Sequence, residues 1–198
     1  MNTNFTPWQP SSWPKVPREY NDNFGKILKS IFIESLVLEI KNIISDMPKT
    51  KDGIPNIEHR GHVLVLSILC AIDTLSSYAF YNTDIERCSQ CGRGDSISIR
   101  YQKYIDNFFP KEYKLFSKKI YKLYRNPITH SWNLFKATML PGNDGIKEIN
   151  GVVILGLLNF FNALEYSINS FIKKLKEDKN LQKSALLRYD ELQSSVLQ

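Results

Sequence analysis

Hydrophobic residues along this chain recur mostly at three- and four-residue steps, which is the spacing of amphipathic helices. Helical stretches are predicted at residues 21–46, 57–82, 96–107, 111–124 and 150–177, with a short charged helix at 180–196. The second stretch is apolar almost all round in its middle, so we expect it to be a central helix contacted on several sides. The pattern predicts an all-α protein.

Two regions do not follow the helical spacing. Residues 1–20 contain four prolines together with Trp8 and Trp13, which favours an extended arm. The two indoles are expected to pack either on the same chain or on a neighbouring subunit. Residues 132–148 lack a helical stripe and include a strong turn signal, Pro-Gly-Asn-Asp-Gly, so we expect a short hairpin or an ordered loop there.

These patterns predict the organisation of the chain. An extended arm at 1–20 precedes a helical domain at 21–178, and a short C-terminal helix or tail follows at 179–198. A length of 198 residues, 42% of them hydrophobic and 23% charged, suits one folded domain.

Cysteine usage and hydropathy indicate a cytoplasmic protein. Cys70, Cys88 and Cys91 do not form a disulfide framework, and no secretory signal pattern stands at the start of the sequence. The longest apolar runs are shorter than the roughly 20 residues that cross a bilayer. We therefore expect a reducing compartment and no membrane segment.

Basic residues are concentrated in one part of the chain, whose formal net charge is +6. Residues 100–130 hold eight lysines and arginines and two acidic residues, so this segment alone carries 8 − 2 = +6. Two interpretations fit: a solvated helix face, or a surface that binds phosphates.

The segment ends in a group of chemically active residues. Asn126-Pro127 follows Arg125 and reads as a helix N-cap and first helical position, which predicts that the helix stops after Arg125 and restarts. In an uninterrupted helix Arg125 and His130 would point in different directions, at about 100° per residue. The break allows both side chains to face one pocket.

Asp73 interrupts the apolar surface of the predicted central helix. A buried carboxylate is unfavourable unless it is paired, so we expect it to meet a cation or several hydrogen-bond donors, and Arg125 is the candidate cation. Asp73 would then orient Arg125. A structural polar contact and simple exposure are the other two interpretations.

The sequence from Arg125 to His130 resembles the Arg-x4-6-His motif of the HEPN superfamily, with the polar Asn126 directly after the arginine. The segment Ile120-Tyr-Lys-Leu-Tyr124 and the segment Ala71-Ile-Asp-Thr-Leu75 are also similar to HEPN-type bacterial proteins, over roughly residues 25–177. The resemblance implies an up-and-down bundle of long antiparallel helices that forms a homodimer. It implies a cleft at the dimer interface that cleaves RNA without metal, through the ribose 2′-hydroxyl, leaving a 2′,3′-cyclic phosphate.

The resemblance, together with elementary chemistry, assigns roles to individual residues. His130 moves a proton and Arg125 holds the phosphate oxygens, and the second copy in a dimer supplies the second acid or base. Asn126 either caps the restarted helix or aligns the phosphate or residues of the second copy. Candidates for RNA contacts are Lys118, Lys119, Lys122, Tyr124 and Trp132, of which the two aromatic residues either stack on bases or belong to the core.

A second functional class stays open. The chain is a toxin-like or phage-defence endoribonuclease, with an antitoxin protein as a candidate partner, or a non-catalytic module that binds RNA, a nucleotide or a protein. A third interpretation is purely structural, with Arg125 and His130 tying helices together. Trp132 stands where HEPN toxins paired with nucleotidyltransferase antitoxins tend to have a tyrosine, so tyrosine modification at this position is excluded.

Metal and cofactor binding are not expected. His59 and His62 share a helix-like spacing, and Cys88 and Cys91 form one Cys-x-x-Cys pair, so a Cys2His2 zinc site is conceivable. The competing interpretation, exposed histidines and unligated thiols, requires no special fold and is preferred.

Overall fold

The computed structural model describes residues 6, 9, 12–56, 60–81, 97–125, 127–128, 134, 136–142 and 144–195. Its longer helical segments are α1 Asp22–Ser30, a π-helical segment π1 Ile31–Val37, α2 Leu38–Ser45, α3 Gly61–Ala79, α4 Ile97–Phe108, α5 Lys111–Lys114, α6 Ser117–Ile120, π2 Tyr121–Arg125, α7 Leu157–Leu175 and α8 Lys179–Ser195. Three strands stand between π2 and α7: β1 Ala137–Leu140, β2 Ile146–Ile149 and β3 Val152–Gly156. The chain is mostly helical.

The first long helical run begins at a side-chain cap. Asn21 has an extended backbone, and its side-chain oxygen accepts a hydrogen bond from the Phe24 N–H at 2.9 Å. This is the usual N-cap geometry, which satisfies one of the unpaired amides of the first turn. Phe24, Leu28 and Phe32, on the inner face of the run, are fully buried. The prediction of a helix over 21–46 is confirmed.

Helix α3 is the central helix that the sequence predicts. Most of its 19 residues are buried, and it packs against α2, α4, α7 and α8. Within the described part of the chain it is the one helix long and apolar enough to cross a bilayer, but 61% of its most apolar window is buried inside the protein. Its composition is therefore that of a core helix covered by its neighbours.

The expectation of an all-α protein is wrong in one region, where a small mixed sheet forms with strand order β1-β3-β2. Strand β3 pairs with β1 in parallel and with β2 in the antiparallel direction. It occupies residues that the sequence assigned to the start of a helix. Four branched or long aliphatic residues in succession, Val152 to Leu155, suit a strand that is paired on both sides.

The hairpin of this sheet also lies elsewhere than predicted. The tight turn is Asn150-Gly151, and both residues have positive φ, 51° and 77°. An Asn-Gly pair in this conformation matches the right-handed twist of the two flanking strands, β2 and β3. The Pro-Gly-rich segment 141–145 instead links β1 to β2, which do not pair with each other.

The N-terminal segment packs on the same chain at Trp13. Its indole is 8% exposed and stacks on Tyr189 of α8 with ring centroids 4.9 Å apart. The Tyr189 hydroxyl donates to the Pro14 carbonyl at 2.7 Å, and the Gln193 amide donates to the Trp13 carbonyl at 2.8 Å. Of the two alternatives for Trp13, the contact with its own chain is observed, while Trp8 lies outside the described residues.

Candidate functional site

Arg125 lies at the C-terminal end of π2, the wide-turned segment that continues α6. Pro127 and Ile128 are helical again after it. A π-helical turn changes the direction in which the following side chains leave the helix, and such turns are frequent at functional sites. The position predicted for the helix break, Asn126, lies outside the described residues.

The guanidinium of Arg125 is paired with the carboxylate of Asp73 on α3. Arg125 Nε donates to Asp73 Oδ2 at 2.9 Å, and the two side chains are 20% and 22% exposed. The expected cation for Asp73 is therefore found. The contact connects the central helix to the segment that carries the motif.

An aromatic wall supports this ion pair. The guanidinium carbon of Arg125 lies 5.6 Å from the centre of the Tyr121 ring, and Tyr121 meets the Tyr101 ring edge-on at 5.3 Å. The Tyr101 hydroxyl and Asp73 Oδ1 are both buried and lack hydrogen-bond partners among the described residues. Polar groups on three segments, α3, α4 and π2, therefore meet around Arg125.

The electrostatics of the pair follow from its burial. Burial raises the pKa of Asp73, and the nearby charges of Arg125 and Arg100 and the hydrogen bond from Arg125 offset part of this rise. For Arg125, burial alone would lower the pKa, but the Asp73 charge and hydrogen bond reverse this, so its pKa lies above the ordinary value. The guanidinium therefore stays charged and is held in place by Asp73.

Three neighbours of the Arg125–Asp73 pair, namely Tyr101, Arg100 and Cys70, were not predicted from the sequence as parts of the site. The pKa of Tyr101 lies well above its ordinary value; burial is the largest cause, and the nearby Asp73 charge is the second. Desolvation also raises the pKa of the Cys70 thiol; the Asp73 charge raises it further and the Arg125 charge lowers it. Cys70 lies one helical turn before Asp73, and this spacing could have indicated from the sequence that the two side chains are close.

Three lysines were predicted to contact RNA. Lys118 and Lys122 are exposed. The Lys119 ammonium pairs with Glu148 on β2 and lies 5.8 Å from the centre of the Phe116 ring. Lys119 therefore joins α6 to the sheet, and two of the three lysines present their charge at the surface.

Tyr124 belongs to the core, which is one of its two predicted alternatives. Its side chain is completely buried, and its one hydroxyl proton is shared between the carbonyls of Thr138 and Val153, which lie 2.9 and 2.8 Å from the hydroxyl oxygen. The ring ties π2 to β1 and β3. A nucleotide base cannot reach it, so the prediction that Tyr124 binds RNA is not compatible with the structure.

The remaining predicted site residues, Asn126, His130 and Trp132, lie outside the described residues, as do His59, Cys88 and Cys91. The described residues hold no group of three or more histidine, cysteine, aspartate or glutamate side chains suited to a metal ion.

Comparisons with family models, with curated proteins and with solved structures give no match to this chain.

Proposed function

We propose that the chain is a metal-independent endoribonuclease of the HEPN type, which acts as a homodimer and uses Arg125 and His130. The observation that supports this best is the Arg125–Asp73 ion pair at the end of π2. Asp73, on the buried central helix α3, holds the charged guanidinium of Arg125 at the first position of the motif, where a reacting phosphate would need a fixed cation.

The proposed reaction needs little beyond these groups. One histidine removes the proton from the ribose 2′-hydroxyl, the oxygen attacks the adjacent phosphorus, and the 5′-oxygen leaves with a proton from a second acid. Arginine stabilises the charge that builds on the phosphate oxygens. A chain with one motif histidine lacks the second acid, and a two-fold related copy supplies it.

The biological role that goes with this activity is a toxin or a phage-defence effector in the cytoplasm, controlled by an antitoxin protein. RNA that lacks the 2′-hydroxyl at the cleavage site should resist, because the attacking oxygen is then absent.

The test compares four purified proteins on a labelled RNA in the presence of EDTA: wild type, His130→Ala, Arg125→Lys and Arg188→Lys. Arg188 is the matched control, because it also contacts α3, through Ser77 at 3.1 Å, pairs with a carboxylate and lies over a tyrosine ring at 5.9 Å. We expect cleavage by wild type and Arg188→Lys, with loss on the order of 100-fold or more in the two motif variants.

Product ends and oligomeric state complete the test. The 5′ fragment should end in a 2′,3′-cyclic phosphate, and light scattering should give the mass of a dimer. Equal cleavage by wild type and His130→Ala would show a contaminating nuclease or another site, and would reject the proposal.

A non-catalytic module that binds RNA, a nucleotide or a protein is the second candidate. The observation that favours it is the extent to which Arg125 is engaged: its side chain is only 20% exposed and stacks near Tyr121. Binding of RNA without cleavage, weakened by Arg125→Lys, would support this alternative over the nuclease.

A further inference from the structure

Two cavities lie side by side and share Tyr20 as a wall. The first, of about 380 Å³, is formed by α1 and the C-terminal half of α7, and the second, of about 440 Å³, by the segment before α1 and the first half of α8. We name the surface lined by the residues of both cavities the Tyr20 groove. Its basic lining residues are Arg18, Lys26, Lys29, Lys176, Lys179 and Lys183.

The Tyr20 groove is strongly cationic. Six basic residues face two acidic ones, Glu19 and Asp22, so its net charge is 6 − 2 = +4, against +6 for the whole chain. All six basic side chains belong to exposed residues. None of them forms an ion pair with any residue that the structure describes. A concave surface with a net positive charge attracts a polyanion.

The fold holds the groove in shape from both sides. The contacts of Trp13 and Pro14 with α8 anchor the segment that carries Arg18 and Tyr20. Asp178 caps α8 by accepting from the backbone N–H groups of Asn180 and Leu181, which fixes the short turn between α7 and α8.

Gly25 allows Tyr20 to lie deep in the groove. A β-carbon at residue 25 would come within 2.5 Å of the Tyr20 hydroxyl oxygen, so the phenol sits directly on the glycine backbone of α1. Tyr20 lines both cavities. An aromatic wall between positive pockets suits a chain of alternating bases and phosphates.

We infer that the Tyr20 groove binds the phosphate backbone of single-stranded RNA, at a site made from residues outside the Arg125–His130 motif. The choice of RNA among polyanions rests on the proposed function, whereas the cationic groove itself does not. An anionic membrane is disfavoured because surface-binding segments insert apolar side chains. Leu187, at 39% exposure, is the single large exposed hydrophobic side chain among the described residues that line the groove.

The test measures binding of a fluorescein-labelled oligouridine by anisotropy across a series of salt concentrations. All proteins carry His130→Ala so that the probe stays intact. The groove variant is Lys26→Gln with Lys183→Gln, one change in each cavity. The matched control is Lys51→Gln with Lys136→Gln, which removes the same charge from two exposed lysines outside the groove. Thermal melting of each protein checks that it is folded.

Each phosphate contact to a single strand contributes about 0.7 to the slope of log affinity against log salt. We expect the groove variant to lose about 1.4 from that slope, which corresponds to roughly 25-fold weaker binding at about 0.1 M salt. The control should bind like the parent protein.

Failure of this inference and failure of the proposed nuclease give different results. Equal binding by the groove variant and its parent would overturn the inference while leaving cleavage by wild type untouched. Binding to phosphatidylserine vesicles through the same lysines, with no binding of oligouridine, would also overturn it. If the groove variant loses binding and the wild-type protein does not cleave RNA, the binding result supports the groove inference and the cleavage result rejects the proposed nuclease.

Discussion

Arg125 and Asp73 are 52 residues apart in the chain, and their side chains meet at 2.9 Å between Nε and Oδ2. The pair joins the central helix α3 to π2, the segment that carries the first residue of the motif. Loss of the pair should therefore change both the free energy of unfolding and the position of the guanidinium.

Replacing Asp73 with alanine should destabilise the protein. The free energy of unfolding is expected to fall by about 1–3 kcal/mol, because the carboxylate that compensates the burial of the Arg125 guanidinium is lost. Urea denaturation measures this. Glu191→Ala is the matched control, since it removes the carboxylate of the more exposed Arg188–Glu191 pair, whose glutamate is 43% exposed. That change should stay within about 0.5 kcal/mol, and equal losses in both variants would contradict the special role of Asp73.

The Asp73 carboxyl should also leave a signature in the pH dependence of stability. Its pKa in the folded protein is raised above 3.8, chiefly by burial. Between that value and the folded pKa, the native state binds more protons than the unfolded state, so stability contributed by this group falls as pH rises. Wild type should therefore lose stability relative to Asp73→Asn as pH increases through this interval. Stability curves of the two proteins, measured by urea denaturation from acidic to neutral pH, test the sign. A difference that grows in favour of wild type would mean that Arg125 lowers the pKa more than burial raises it.

Removing the hydroxyl of Tyr124 should destabilise the folded protein. Tyr124→Phe leaves the carbonyls of Thr138 and Val153 without this donor, so we expect a loss of about 1–3 kcal/mol in the free energy of unfolding. The matched control is Tyr78→Phe, because the Tyr78 hydroxyl is buried and has no hydrogen-bond partner among the described residues. That change should be neutral or stabilising. Chemical denaturation of both variants decides, and a larger loss in Tyr78→Phe would be the opposite of the expected order.

Gly25 and Tyr20 should show strong coupling in a double-mutant cycle. In wild type, Gly25→Ala places its new methyl against the Tyr20 hydroxyl and displaces the ring. In the Tyr20→Phe background the obstructing oxygen is absent, and the same change should gain up to about 1 kcal/mol from helix propensity. Thermal unfolding of the four proteins gives the coupling. Additive effects would show that the hydroxyl and the helix backbone are not in contact.

Local patterning determined much of the helical fold. The three- and four-residue spacing places helices at 22–45, 61–79 and 97–108 close to the predicted boundaries, and the all-round apolar surface of the second marks it as central. These features depend on neighbours along one helix, which the sequence displays directly. The sequence also displays Asp73 directly, because a lone carboxylate in an apolar helix needs a cation or hydrogen-bond donors.

The sheet could not be predicted from local pattern, because its residues suit both a helix and a strand. Residues 152–156 carry an apolar run that fits the start of a helix or a buried strand, and periodicity alone does not separate these. These residues form a strand because they pair with β1 on one side and with β2 on the other. The Asn150-Gly151 turn was the signal in the sequence that could have indicated it.

The sequence by itself determined the helical spacing, the basic character of the chain and the need of Asp73 for a partner, because each follows from residue types at fixed separations. Only the tertiary structure decided which residues meet: Arg125 with Asp73, Tyr124 with two strand carbonyls, and six basic residues from separate segments around Tyr20. The physical reason is that ion pairs, buried hydrogen bonds and cavities form between segments far apart in the chain, where no local spacing specifies the partner.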